Sequence, residues 1–109
     1  MPDKESEMTE QASKPHNSFV LIIHEVADYA KWKTIFEDAA EIRRQAGEIE
    51  YQLLADEAYN CRVVHFSRWT SLAAARAFFE SPELIEIRRM AGVRAPDFIY
   101  LNQLEAGTL

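Results

Sequence analysis

The stretch that most constrains this chain is the junction between Phe19-Val20-Leu21-Ile22-Ile23-His24, an apolar run of strand length, and the helical pattern that follows it. The handover takes only Val26, Ala27 and Asp28. Asp28 stands where a helix N-cap is needed, its carboxylate able to accept from the free N–H groups of the first turn. Beyond it Trp32, Ile35, Phe36, Ala39, Ile42 and Ala46 recur at three- and four-residue steps, which predicts one helix over about 29–46. Gly47 follows as a C-cap suited to the left-handed conformation.

The rest of the chain alternates in the same way. Strand one spans about 18–25. Ile49, Tyr51 and Leu53 alternate with Glu50, Gln52 and Leu54 in a second strand over 49–55, and 61–69 reads as a third. The polar turn Asp56-Glu57-Ala58-Tyr59-Asn60 between them is of hairpin length. Thr70 or Ser71 can cap a helix carrying Leu72, Ala75, Phe78 and Phe79 on one face. Ser81-Pro82 interrupts it and starts a further segment over 83–91, with Leu84, Ile87 and Ala91 inward. A last strand covers about 97–104. The order β-α-β-β-α-β predicts an α+β, ferredoxin-like domain with a four-stranded antiparallel sheet over 18–105. Residues 1–17 read as a flexible leader and 106–109 as a tail.

Composition narrows the partners. The 109 residues make one domain, and a net charge of −6 argues against nucleic acid, whose phosphates need a clustered positive surface. The arginines, Arg43 and Arg44 among them, are scattered between acids and read as solvated. No apolar run approaches the roughly 20 residues of a membrane helix, and no signal-peptide order opens the chain, so the cytoplasm is expected. Cys61, the single cysteine, excludes an intrachain disulfide and reads as a buried, inert thiol on strand three.

Helices of this fold cover one face of the sheet, yet the strands are apolar on both parities. Phe19, Leu21 and Ile23 lie on one side of strand one, with Val20, Ile22 and Val26 on the other. Left in water, the second face would form a large apolar patch. A homodimer pairing through the sheet face is therefore expected.

The segment Val26-Ala27-Asp28-Tyr29-Ala30-Lys31-Trp32-Lys33, the run from Ser71 to Leu84 and Ala91-Gly92-Val93 together resemble the dimeric α+β barrel superfamily. It includes antibiotic-biosynthesis-monooxygenase-like proteins and small bacterial proteins described as cyclase-like. The resemblance covers about 18–105. It implies a cavity between helices and sheet, or within the barrel of the dimer. Monooxygenase members oxidise polycyclic phenols or quinols with neither metal nor flavin, so no cofactor is implied; no helix here offers the positioned histidine of haem-binding members.

His24 and His65 are the histidines of the ordered region, on strands expected to be antiparallel neighbours, with side chains on one face. Either could take a phenolic proton as catalytic base, or sit as a satisfied histidine at a sheet or dimer contact. Two histidines make no metal site, and no third ligand has suitable spacing. Trp32, Tyr51, Trp69 and Tyr100 could sandwich a planar substrate or serve core and interface, and Arg68 could hold a substrate carboxylate or pair at the surface. Two functions follow as expectations. The first is a cofactor-independent monooxygenase or cyclase for a small aromatic or polyketide-like substrate; the second is a non-catalytic homodimeric module binding a small apolar ligand or a protein partner.

Overall fold

The computed structural model describes residues 17–109, so the expected leader, with His16, lies outside the described residues apart from Asn17. The elements run β1 (Ser18–Val26), α1 (Tyr29–Asp38), α2 (Ala40–Ala46), β2 (Glu48–Ala55), β3 (Arg62–Trp69), α3 (Leu72–Phe79), α4 (Pro82–Met90) and β4 (Val93–Asn102). The strands form one sheet in the order β2-β3-β1-β4, antiparallel at every pairing. This is the expected ferredoxin-like α+β architecture. No helix among the described residues is long and apolar enough to cross a membrane.

Asp28 caps α1 as its position demands: its side chain accepts from the Lys31 N–H at 3.2 Å. Ser71, rather than Thr70, caps α3 through the Ala74 N–H at 3.0 Å. The first helical stretch differs from its expected single span. It breaks at Ala39, whose φ of −87° and ψ of 1° leave the helical basin, and resumes as α2. Gly47 ends α2 at φ 126°, and a Cβ there would lie 2.5 Å from Thr70 Oγ1. That position accepts glycine alone without rearrangement.

Strict alternation sends Val20, Ile22, His24 and Val26 of β1, and Val63, His65, Ser67 and Trp69 of β3, towards the helices. Two apolar clusters fill the space between layers. One joins Val20, Ile22, Trp69, Ala75 and Phe79; the other joins Val26, Trp32, Phe36, Val63 and Ala91. On the opposite face Phe19 and Phe66 stack at 5.1 Å, and Leu54 and Ile99 stand 46% and 43% exposed. That face is uncovered in the single chain.

Three further expectations need correction. Cys61 is exposed, because β3 begins one residue later and the hairpin turn holds it outside the sheet. Arg43 is buried rather than solvated. The last strand starts at Val93 instead of 97, taking in Pro96. It can do so because β4 is an edge strand, where a missing N–H costs no ladder bond.

Candidate functional site

The central strands bring both histidines to the helical face. Across the β1–β3 pairing His24 stands opposite Val63 and Ile22 opposite His65, so the imidazoles are diagonal neighbours. Both are buried, at 5% and 1% exposure. Together they floor a cavity of about 60 Å³, roofed by Trp32 and Phe36 of α1, Phe78 and Phe79 of α3, and Ile87 of α4. Arg43 and Arg88 are the cations at its wall. A space of that size holds a few water molecules.

The two rings live in different fields. His24 lies 5.3 Å from the Trp32 ring, and its Nδ1 has no hydrogen-bond partner among the described residues. Burial, reinforced by His65 and by the Arg88 guanidinium, pushes its pKa down to about 3, so it is a neutral imidazole at any physiological pH. An orphaned polar atom in an apolar wall costs free energy until something bonds to it. His65, by contrast, meets a carboxylate. Its Nε2 lies 2.7 Å from Glu48 Oε2, while Arg43 Nε donates to Glu48 Oε1 at 2.6 Å. Arg43 is held in turn: Nη1 donates to the Phe36 carbonyl at 2.6 Å, and its guanidinium lies 3.6 Å from the Phe36 ring centroid. Phe36 presents an edge contact to His65, the ring centroids 5.0 Å apart at 89°.

Arg88, on α4, donates to the Phe79 carbonyl at 3.0 Å and lies 4.9 Å from the Phe98 ring. Burial draws its pKa below the ordinary value without discharging it.

Among the residues expected from the sequence, His24, His65 and Trp32 line this cavity. Tyr51 sits at its margin, its ring 5.3 Å from Phe36 and 6.0 Å from His65, but half of it is exposed. Tyr51 and Arg68 instead line a separate groove of about 190 Å³ with Phe19 and Phe66, and Arg68 pairs there with Glu50 at 3.1 Å. Trp69 is 1% exposed in the core, its indole N–H donating to Ser67 Oγ at 2.8 Å. Tyr100 lies under Arg76, 4.0 Å from ring centroid to guanidinium carbon, and burial raises its pKa, helped by Glu80.

Phe36 and Arg88 in the cavity lining, and Arg43 and Glu48 behind His65, are residues that sequence reasoning missed. Alternation puts Glu48 with Glu50 and Gln52 on the open face. The register shift between Glu48 and Glu50 turns Glu48 inward, since one extra residue reverses the face of everything beyond it. Arg43 left a signal: it follows Phe36 by seven residues and Ala39 by four, on the buried stripe. Among the described residues no three His, Cys, Asp or Glu side chains gather as metal ligands would.

The fold, as distinct from the site, has counterparts among known proteins. Residues 27–90 match the model of a family described as antibiotic biosynthesis monooxygenase. SnoaB, a cofactor-independent oxygenase from Streptomyces nogalater, is 18% identical, with a TM-score of 0.60 over 88% of this chain and 98% of that one. A putative antibiotic biosynthesis monooxygenase from Deinococcus radiodurans is 14% identical, at a TM-score of 0.65 over 84% and 97%. The monooxygenase from the gene ActVA-Orf6 of Streptomyces coelicolor, solved with the ligand nanaomycin D, is 17% identical, at 0.60 over 87% and 94%. No curated protein sequence matches the chain.

Proposed function

This chain belongs to the antibiotic biosynthesis monooxygenase family, and from that premise we propose that it is a cofactor-independent monooxygenase for a small, planar aromatic or polyketide-like hydroxy compound. The observation that carries the reading is the pair of buried imidazoles at the floor of an apolar, aromatic-roofed cavity. The reaction class needs little more: an apolar slot for the ring system and a group that takes an acidic proton.

The chemistry balances with dioxygen as the oxidant. Loss of the hydroxyl or ring C–H proton leaves an electron-rich anion, which reduces dioxygen and forms a C–O bond with it. Loss of water from that adduct turns a ring CH₂ into a carbonyl. One oxygen atom stays in the product and the other leaves as water, with all four electrons supplied by the substrate. His65 is the proton acceptor and His24 a neutral hydrogen-bonding partner for a ligand oxygen. Trp32 and Phe36 bind the ring face, and Arg88 supplies a positive field near the developing oxyanion. At about 60 Å³ the cavity lies well below the roughly 300–1,000 Å³ usual for ligand sites, so entry requires the helices to part from the sheet.

The protein acts as a homodimer through its open sheet face, which removes the exposed apolar side chains there from water. That small cavity volume favours one other reading, a homodimeric module that binds a small apolar ligand without turnover.

Oxygen uptake by chelator-treated protein with hydroquinones, anthrones and naphthols separates the two. The oxygenase reading expects uptake above the buffer rate with at least one of them. It also expects that rate to fall by about a hundredfold in His65→Phe, the scale of lost acid–base catalysis. A buffer rate with every compound overturns it in favour of the binding module.

A further inference from the structure

We propose that Glu48 and Arg43 are positioning residues for His65, fixing its tautomer so that Nδ1 is the basic nitrogen and backing the imidazolium that forms when a ligand gives up its proton. The kinetic half of this inference rests on the oxygenase reading above; the structural half does not.

The Glu48 carboxylate has both of its oxygens committed. Glu48 accepts from Arg43 Nε at 2.6 Å and faces His65 Nε2 at 2.7 Å. All three side chains are buried, none more than 8% exposed. With a guanidinium on one oxygen the carboxyl group is ionised, and an ionised carboxylate can only accept. The hydrogen between Glu48 and His65 therefore belongs to Nε2, and in the neutral imidazole the lone pair is then on Nδ1. Arg43 cannot leave to meet a ligand itself, because the Phe36 carbonyl and the Phe36 ring hold it in place.

The transfer is simple to balance. The ligand O–H bond breaks, its electron pair stays on the ligand oxygen, and the proton forms an N–H bond at His65 Nδ1. The new imidazolium then rests against Glu48, as in the well-known serine-protease arrangement of a carboxylate behind a histidine. Among the described residues no carboxylate pairs with His24, so the two histidines of this cavity do different jobs. A purely structural role explains the trio poorly, since buried ion pairs are weak stabilisers compared with apolar residues of the same shape.

The test uses the full chain labelled with nitrogen-15 at histidine, its three imidazoles assigned with His24→Gln and His65→Gln variants. The expected result is a free protein whose His65 shows a protonated Nε2 and an unprotonated Nδ1. Glu48→Gln, which keeps the size but presents either an acceptor or a donor, is expected to lose that single tautomer. With a substrate found by oxygen uptake, the same variant is expected to lower kcat by about tenfold or more and leave KM within about twofold. A wild-type His65 carrying its hydrogen on Nδ1 overturns the proposal, and so does an unchanged tautomer with unchanged kcat in Glu48→Gln. The wild-type spectrum decides even if Glu48→Gln does not fold. A fixed Nε2–H tautomer in a protein that consumes no oxygen supports the positioning role and removes the oxygenase reading.

Discussion

The buried His24 ring is one source of acid sensitivity in this protein. Its imidazole titrates near 3 in the folded chain and near 6.5 once unfolded, so between those values the unfolded state holds a proton that the native state refuses. Stability from this ring is complete above about pH 6.5 and drains as the pH falls, at a slope approaching about 1.4 kcal/mol per unit. His24→Leu is expected to flatten that slope, read as the urea midpoint between about pH 4 and 7; an unchanged slope places the acid sensitivity elsewhere. Both histidines were legible in the sequence, because β1 and β3 alternate without interruption and parity alone puts them on one face. Glu48 was not, since the bulge at Ile49 breaks parity through backbone geometry that residue types do not announce. Trp69 and Tyr51 show a different limit: an aromatic on the helical face packs into core or rim according to which helix lies above it. Cys61, standing outside β3, is expected to react with a disulfide reagent in the native protein, which a buried thiol would resist.

At the scale of elements, the Arg43–Glu48–His65 set ties α2 to β2 and β3 just beyond the Ala39 break. Removing one charge leaves the other buried and unpaired. Arg43→Met is therefore expected to cost about 3–5 kcal/mol, much of it recovered in the double variant Arg43→Met/Glu48→Gln, by urea unfolding. Additive costs in that cycle would show that the pair is not coupled. The α1 cap is simpler: Asp28→Ala leaves the Lys31 N–H without its acceptor and is expected to cost about 1 kcal/mol. Caps and stripes made α1, α3 and α4 readable from the sequence. The α1–α2 break was not, because the apolar stripe runs on through Ala39 with its spacing intact.

For the whole molecule, helices on one side and apolar strands on both leave a sheet face that a second copy would cover. Light scattering at micromolar concentration is expected to give twice the 12.6 kDa chain mass, and Phe66→Glu, which puts a charge in the Phe19–Phe66 stack, is expected to return the monomer. A wild-type mass of one chain overturns the dimer. The order of elements was legible as a whole because each switch between strand and helix carries its own cap or turn, whereas the cavity depends on how two layers meet. The reaction proposed for this cavity passes one atom of dioxygen into a planar hydroxy compound without a cofactor. It is tested most directly by mass spectrometry of the product formed by chelator-treated protein under oxygen-18 gas. One heavy atom in each product molecule and loss of that product in His65→Phe are expected; product carrying no heavy atom, or formed equally by His65→Phe, contradicts the oxygenase reading.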